Sequence, residues 1–345
     1  KNGKLRKITK SSIFVSWLYP ILKFHKTLRT SITFKLRDFL SVLDFGLKNE
    51  DYFDIFIGLE SINTIAGILL KKLGKIDKVI YYVTDFSLHR YKNPFLNKLY
   101  FVLDRIAFEN ADFIWDVSKE IMTARVEAGL SPKEKKSIFV PIGLFKNQII
   151  KKNFKKIPET LVYAGALNKE NGPDLAIKAL KKVLKTLPKV KLHIFADGKD
   201  PQTQHLRDLI DKLMLHDKVI FHVLLPNLTQ LIKDLNAYMI GLAPYRTLPN
   251  SPRWWADATR IRLYLAAGLP VVTTKVPPIS KELDENFGLV VKDNPDRIAD
   301  AITMLFNKKT LYRNLSQNAI LKTQKNTWDK IYTKTFKAMG IALKS

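Results

Sequence analysis

The residues best suited to chemistry lie in the C-terminal half, around Arg260. Asp257 and Thr259 are spaced to cap a helix, which would place Arg260 in its first turn. Gly268 and Pro270 then end this helix and lead into an apolar strand. A cation in the first turn opposes the helix dipole, unless an anion shares the site. The segment therefore indicates a site for an anion such as phosphate, and a surface arginine on an ordinary helix is the alternative.

Two further segments of this half place small residues where a strand ends and a helix begins. Gly165 follows the apolar run 160–164, and Gly172 with Pro173 opens the next helix. Asp197 and Gly198 form a similar turn after another apolar strand. Ligands of open parallel sheets bind outside the carboxyl ends of the strands, where helix N-termini favour anions. Taken singly, each segment is also typical of an ordinary strand–loop–helix connection.

The elements that must position these residues alternate between strand and helix. In the first half, a β-branched and aromatic run at 78–83 lies between helical segments at 60–72 and 97–108. A second series begins at Thr160 and ends with a helix over 295–306. Alternation of this kind predicts parallel sheets with right-handed crossovers, so the fold class is α/β.

A lysine-rich segment separates the two series. Residues 146–158 contain five lysines and no acidic residue, which predicts an exposed linker. We therefore expect an N-terminal Rossmann-like domain over 1–145, a C-terminal one over 159–310, and basic C-terminal helices over 311–345. No glycine-rich loop after a first strand is evident in the N-terminal domain, which predicts that its first strand is missing.

The composition is that of a globular and strongly basic chain. Hydrophobic residues make up 46% of the 345 residues, enough for a core in each of two domains. The net charge of +26 favours anionic partners such as phosphorylated substrates, acidic lipids or nucleic acid, although an AT-rich genome would also enrich lysine. The lack of cysteine excludes disulfides, zinc–thiolate sites and thiol catalysis. No Asp-x-Asp motif ends a strand, so no metal site is predicted.

The first 50 residues combine basic and apolar positions at helical spacing. Trp17 lies among other aromatic residues and is followed by Lys23 and Lys26. The same pattern fits a core helix with a solvated face and a helix on an anionic membrane surface. We expect a cytoplasmic protein placed peripherally on the inner face of the membrane through this face. A soluble protein with a basic N-terminal half is the alternative.

The C-terminal half resembles a known family in its longest motif. Residues 264–272 read Tyr-Leu-Ala-Ala-Gly-Leu-Pro-Val-Val, preceded by Gly-Leu-Ala-Pro-Tyr at 241–245 and followed by Glu282 and a Gly-Leu-Val run at 288–290. This pattern is similar to the donor-site signature of GT-B glycosyltransferases, especially the group that includes family four. The resemblance implies two Rossmann-like domains facing across a cleft, a C-terminal helix that crosses back to the N-terminal domain, and a bound nucleoside-diphosphate sugar.

The resemblance also implies roles for particular residues. Arg260 takes the place of the lysine that binds the donor diphosphate, and arginine can grip phosphate with two hydrogen bonds. Glu282 falls near the position that binds the donor ribose or sugar, and Gly165 lies in the loop that faces the phosphates. The rest of the predicted donor site consists of Asp197, Gly198, Tyr245 and Asp257.

The chain departs from the family pattern at two places. Where the family often has His-Asp after a strand of the N-terminal domain, this chain has Thr84-Asp85. We interpret Asp85 as the general base toward an acceptor hydroxyl, or as the group that orients it, and a turn aspartate is the alternative. His89 and Arg90, one helical turn away, are candidates for acceptor binding. Leu263 stands where the family has a glutamate.

These residues predict a metal-independent glycosyltransferase that uses a nucleoside-diphosphate sugar as co-substrate and needs no cofactor. Similar enzymes build lipid-linked or surface polysaccharides, so a glycan of that kind is the expected acceptor. Thr84 and Leu263 leave open a donor-binding fold that has lost catalysis. The basic charge leaves open a nucleic-acid-binding protein, but the sequence has no zinc spacing or RNA-recognition signature, and we expect no nucleic-acid partner.

Overall fold

The computed structural model describes residues 31–129, 137–154, 159–224 and 227–341. The predicted membrane face at Trp17, Lys23 and Lys26 lies outside these residues. The chain divides into two compact units: Lys1–Val117 with Arg125–Phe139, and Ser118–Ala124 with Val140–Ser345. No helix of the described ranges is long and apolar enough to cross a membrane.

The first unit is built on a four-stranded parallel sheet in the order β1-β2-β3-β4. The strands are Phe53–Leu59 (β1), Ile76–Val83 (β2), Phe113–Asp116 (β3) and Ser137–Phe139 (β4). The helices of this part of the chain are Ser31–Lys48 (α1), Glu60–Lys72 (α2), Pro94–Asn110 (α3) and Glu120–Glu127 (α4). Helix α3 begins three residues before the predicted start, because the Asn93 side chain accepts the first free N–H groups and Pro94 fits the first turn.

A buried ion network holds β3 and α4 against α3. Arg125 donates from Nη1 to Asp116 at 2.9 Å and from Nε to Asp104 at 3.2 Å, and all three side chains are buried. Tyr81 donates to Asp104 and Ser137 donates to Asp116. Breaking such a buried pair leaves an uncompensated charge, so the network fixes the positions of these elements.

The second unit is built on a six-stranded parallel sheet in the order β10-β9-β8-β5-β6-β7. Its strands are Thr160–Ala164 (β5), Lys191–Ala196 (β6), Val219–Val223 (β7), Ile240–Ala243 (β8), Val271–Thr274 (β9) and Gly288–Val291 (β10). Its helices are Pro173–Val183 (α5), Thr203–Lys212 (α6), Leu228–Leu235 (α7), Thr259–Ala266 (α8), Ser280–Leu283 (α9), Pro295–Asn307 (α10), Lys309–Lys325 (α11) and Trp328–Ala338 (α12). The strand–helix alternation and the α/β class predicted from the sequence are confirmed.

The last two helices pack on elements of the second unit. Ser316 of α11 donates to the Gly268 carbonyl at 2.6 Å, in the turn that follows α8. At the start of α12, the Trp328 N–H donates to the Leu144 carbonyl at 3.0 Å. Leu144 belongs to the second unit. The predicted return of these helices to the N-terminal domain is therefore not confirmed and stays a prediction.

The segment predicted as an exposed linker is partly packed. Of residues 146–158, the structure describes 146–154. Within them the Ile150 N–H donates to the Ala266 carbonyl at 2.9 Å, and the buried Lys152 ammonium donates to the carbonyls of Asn236 and Tyr238. The lysine content suggested full exposure, but one lysine caps backbone carbonyls inside the second unit.

Candidate functional site

The second sheet reverses its strand order between β5 and β8. These two strands pair only at Leu161 with Ile240 and at Val162 with Gly241. Beyond that point the Tyr264 hydroxyl joins them, since it accepts the Ala164 N–H at 2.7 Å and donates to the Leu242 carbonyl at 3.2 Å. The carboxyl ends of β5 and β8 thus diverge around a fixed hydroxyl. In open α/β sheets a crevice at this position is where ligands bind.

Arg260 lies at this crevice, in the first turn of α8. Its side chain is buried, with 8% of the residue exposed. The guanidinium carbon lies 4.1 Å from the ring centre of Tyr163 and 5.4 Å from that of Tyr245. Among the described residues, its Nε and Nη1 have no hydrogen-bond partner. A buried cation without an anion is costly, so the arrangement indicates an anionic ligand.

The two tyrosines present aromatic ring faces to the guanidinium. Burial raises the pKa of Tyr163 to about 12, so its phenol is neutral near pH 7. The Tyr163 hydroxyl donates to the Ala166 carbonyl at 2.7 Å. Cations stack favourably on such ring faces, which holds the guanidinium in place without neutralising it. The positive charge of Arg260 therefore remains available to a ligand.

The loop after β5 leaves its backbone open toward this guanidinium. Gly165 has a φ of +128°, which L side chains rarely adopt, and its N–H donates to the Phe195 carbonyl at 2.8 Å. A Cβ at this position would lie 2.9 Å from Nη2 of Arg260. Gly172, with a φ of +64°, packs against the Pro244 carbonyl of the loop after β8. The structure therefore brings Gly165, Arg260 and Tyr245 together, as the predicted donor site requires.

Asp257 does not cap α8, and the capping prediction is wrong. The N-cap residue is Ala258, and no side chain accepts a capping hydrogen bond. The buried Asp257 carboxylate instead accepts Arg262 Nε at 3.1 Å and the Ile142 N–H at 2.9 Å. The bond to Arg262 joins two opposite charges, whereas an N-cap would join the carboxylate to an uncharged N–H, so the carboxylate turns toward Arg262. Asp257 thus positions the start of α8, and its direct contact with a donor stays a prediction.

The other residues predicted for the donor site, Glu282, Asp197 and Gly198, are exposed to solvent. Glu282 is half-exposed and pairs with Lys322 of α11. Burial alone would raise the pKa of Glu282, but the hydrogen bond and charge of Lys322 outweigh burial and lower it. Asp197 accepts the Lys199 N–H at 3.1 Å in an exposed turn after β6, and Gly198 is exposed beside it. Within the described ranges, no hydrogen bond or ion pair joins Glu282 or Asp197 to Arg260.

Sequence reasoning missed Asp200. Its carboxylate accepts the Leu167 N–H at 3.0 Å and so holds the loop that contains Gly165. The other carboxylate oxygen accepts the Gln202 N–H at 2.9 Å. The sequence feature that could have identified Asp200 is its place as a second acidic residue in the turn after β6, three positions beyond Asp197.

In the first unit, Asp85 lies at the carboxyl ends of β1 and β2. Its Oδ2 accepts Nη1 of Arg90 at 2.6 Å. Glu60, which begins α2, accepts three hydrogen bonds through Oε1: from the Thr84 N–H at 3.2 Å, the Thr84 hydroxyl at 2.7 Å and the Asp85 N–H at 3.1 Å. The structure thus brings Asp85 and Arg90 together and adds the carboxylate of Glu60. We call these three residues the Glu60–Asp85–Arg90 cluster.

Glu60 has two unusual properties for a structural glutamate. Its φ of +64° is in the left-handed region, which costs energy for a residue with a Cβ. Burial raises the pKa of its carboxyl; the Thr84 hydrogen bond opposes this rise, and the nearby Asp85 adds to it. Strain and a raised pKa together are typical of functional sites. In the sequence, Glu60 is a carboxylate directly after the apolar run that forms β1.

The loop between Asp85 and α3 is held by Asn97. Its Oδ1 accepts the Arg90 N–H at 2.9 Å and the Tyr91 N–H at 3.3 Å, and its Nδ2 donates to the Leu88 carbonyl at 2.9 Å. His89 is exposed on this loop, and no side-chain contact of it is found in the part of the chain that the structure describes. The loop therefore places Arg90 against Asp85 and leaves His89 exposed.

In the described ranges, no group of three or more His, Asp or Glu residues could hold a metal ion. The donor crevice is instead dominated by the cation Arg260.

Comparisons with known proteins agree with this geometry. The two parallel sheets, and the likeness to solved glycosyltransferases, define a GT-B fold. Residues 158–308, which lie within the second unit, match the family model described as glycosyl transferases group 1. A search of curated protein sequences found no significant match.

Three solved structures illustrate the likeness. HepE from Anabaena, in complex with UDP, is 16% identical over 88% of this chain and 81% of its own, with a TM-score of 0.70. Sucrose-phosphate synthase from Thermosynechococcus elongatus is 15% identical over 88% and 77%, with a TM-score of 0.69. The UDP-forming α,α-trehalose-phosphate synthase from Burkholderia xenovorans, in complex with glucose-6-phosphate, is 11% identical over 95% and 82%, with a TM-score of 0.67.

Proposed function

We propose that this protein transfers a sugar from a UDP-sugar to an acceptor hydroxyl. The observation that carries the proposal is the buried guanidinium of Arg260, whose Nε and Nη1 lack partners among the described residues. It lies at the switch point of the second sheet, beside the open backbone of Gly165. The negative charge of a diphosphate complements the buried guanidinium. The choice of UDP is supported by relatives of the same fold that bind or form UDP.

In the reaction, the bond between the sugar C1 and the diphosphate oxygen breaks while the acceptor oxygen bonds to C1. Negative charge develops on the departing diphosphate, and a fixed cation in a dry crevice stabilises it. Arg260 has this position and stays charged at any physiological pH. We propose that Asp85 takes the proton from the acceptor hydroxyl or orients it, with Arg90 holding its carboxylate.

The same proposal extends to the acceptor, the membrane and the remaining residues of the site. The acceptor is a lipid-linked sugar or a surface glycan, and the enzyme works without metal at the cytoplasmic face of the membrane. Trp17, Lys23 and Lys26 form the membrane face. Asp197, Gly198, Asp257 and Glu282 support the donor, and His89 lies on the acceptor side. Sedimentation with anionic liposomes at low and high salt tests the membrane face, since charge-driven binding weakens with salt.

A thermal-shift titration with UDP, GDP and ADP tests the donor site, because a ligand that binds only the folded state raises its apparent stability. We expect UDP to raise the melting temperature of the wild type and to have little effect on Arg260→Ala. Arg297→Ala, which removes an exposed arginine on α10, is the matched control and should respond like the wild type. An equal UDP response of Arg260→Ala and wild type would refute the assignment. UDP binding without transfer to any glycan acceptor would favour the catalytically inactive alternative.

A further inference from the structure

The first unit contains a cavity that the proposed donor chemistry does not use. It has a volume of about 320 Å³ and lies between α1, α2 and α3. Most of its wall is apolar and comes from Leu36, Phe39, Ile62, Ile65, Leu96 and Leu103. The pocket is open to solvent, so its apolar wall exposes hydrocarbon to water, and covering that wall with an apolar ligand is favoured by the hydrophobic effect. This chemistry suits a hydrocarbon ligand.

One end of the cavity adjoins the Glu60–Asp85–Arg90 cluster. Tyr100 lines the cavity, and the Arg90 guanidinium carbon lies 5.8 Å from its ring centre. Ser61 also lines the cavity and follows Glu60 on the chain. A ligand in the cavity would therefore extend toward the carboxylate proposed to act on the acceptor hydroxyl.

The charged residues at this end are suited to an anionic head group. Lys35 lines the cavity, and Lys92 is exposed next to Tyr91, another wall residue. Arg90 is already paired with Asp85 at 2.6 Å. A phosphate attached to the chain would thus meet lysine ammonium groups at the same end as the acceptor hydroxyl.

An exposed apolar stripe on α3 extends the cavity surface outward. Phe95, Leu99, Val102 and Ile106 recur at helical spacing and are 73%, 42%, 46% and 39% exposed. Leu99 belongs both to this stripe and to the cavity wall. Large apolar residues clustered on one exposed helix face mark a surface that meets an apolar partner. The stripe therefore gives a hydrocarbon chain a continuous apolar path from the outside into the cavity.

We propose that this cavity binds the hydrocarbon chain of the acceptor, and that the acceptor is an amphiphile with a phosphate near its sugar-accepting end. The proposal rests on the proposed glycosyl transfer, and it names the substrate class of the acceptor side. We infer a lipid as the occupant from the order of the groups along the cavity. The apolar wall would hold the hydrocarbon chain, the lysines would meet the phosphate, and Asp85 would face the reacting hydroxyl.

Calorimetric titration of the full chain with decyl phosphate, below its micelle concentration, tests the proposal. We expect saturable binding at one site, and much weaker or no binding of decanol and of inorganic phosphate. Ile65→Trp, which fills the cavity from α2, should weaken decyl phosphate binding by roughly tenfold or more, since it removes the space for the chain. Leu69→Trp, at an exposed position of the same helix, is the matched control and should bind like the wild type.

Leu99→Asp provides a second variant that does not fill the interior, because Leu99 is partly exposed. It should weaken the binding of decyl phosphate by charge repulsion and loss of apolar contact. Unchanged binding in both Ile65→Trp and Leu99→Asp, or no saturable binding to the wild type, would overturn the proposal. UDP titration of the same samples separates the two proposals: normal UDP binding without alkyl phosphate binding rejects the cavity site and leaves the donor site intact.

Discussion

The Arg260 guanidinium occupies the space in which a side chain at Gly165 would lie, at the crevice between β8 and β5. A Cβ on Gly165 would lie 2.9 Å from Nη2 and 3.2 Å from Nε of the guanidinium. The strand-end glycine and the first-turn arginine are thus two halves of one site, although 94 positions separate them (260 − 165 − 1). Any side chain at 165 must displace the cation that is proposed to hold the diphosphate.

Gly165→Ala should weaken UDP binding by about ten- to a hundredfold, the equivalent of about 1.5–3 kcal/mol for a lost charge-assisted contact. The added methyl group crowds Arg260 and strains a backbone at φ +128°. Titration calorimetry with UDP measures the effect. Gly74→Ala is the matched control, because it introduces strain at φ +73° with nothing within 4 Å of the new Cβ. The prediction fails if both variants bind UDP like the wild type.

Tyr264→Phe should lower the free energy of unfolding by about 1–3 kcal/mol, because the buried Ala164 N–H loses its acceptor. Burial raises the pKa of Tyr264, so the hydroxyl is present as the neutral group over the whole neutral range. Urea denaturation monitors the change. Tyr52→Phe, at a residue that is 59% exposed, should leave the free energy of unfolding unchanged. Equal stability of the two variants would mean that the hydroxyl does not hold β5 to β8.

Asp85→Asn should reduce kcat by about 10²- to 10⁴-fold, the usual contribution of general base catalysis. The dissociation constant of UDP should not change, because Asp85 belongs to the first unit and Arg260 to the second. The measurement is steady-state transfer beside UDP titration. Asp54→Asn, an exposed carboxylate on β1, serves as the control. Wild-type turnover of Asp85→Asn would remove it from the mechanism.

Glu60→Gln should change the pH dependence of stability. The pKa of Glu60 is raised above its usual 4.5, so just above pH 4.5 the folded state binds more protons than the unfolded state. The contribution of Glu60 to stability is therefore complete below pH 4.5 and is lost as the pH rises through the raised pKa. Gln keeps an acceptor for Thr84 and Asp85 but does not ionise.

Relative to the wild type, Glu60→Gln should then be more stable at pH 7 than at pH 4. Denaturant titrations at both pH values measure this difference. Glu60→Ala lacks the acceptor for three hydrogen bonds and should be destabilised at both. A difference between Gln and wild type that is the same at pH 4 and pH 7 would show that Glu60 does not titrate with a raised pKa.

The sequence by itself determined the strands and helices and several of the residues at which they begin or end. Apolar periodicity and turn residues locate the strands and helices, because these signals depend only on neighbouring residues. Gly165 after β5 and Arg260 in the first turn of α8 are examples of positions predicted in this way. The motif at 264–272 predicted the GT-B fold, and the comparisons confirm it.

The tertiary structure decided which strand and helix ends lie next to one another. Strand order brings β5 beside β8 and so brings Gly165 to Arg260, but pairing between distant strands leaves no periodic signal in the chain. Asp257 has the spacing of a helix cap, yet its carboxylate turns to Arg262 and to the Ile142 N–H, two partners that only the folded chain brings to it. Glu60 reaches Asp85 only because β1 and β2 are parallel neighbours whose carboxyl ends coincide, a relationship that exists in the folded sheet and not in the spacing of residues.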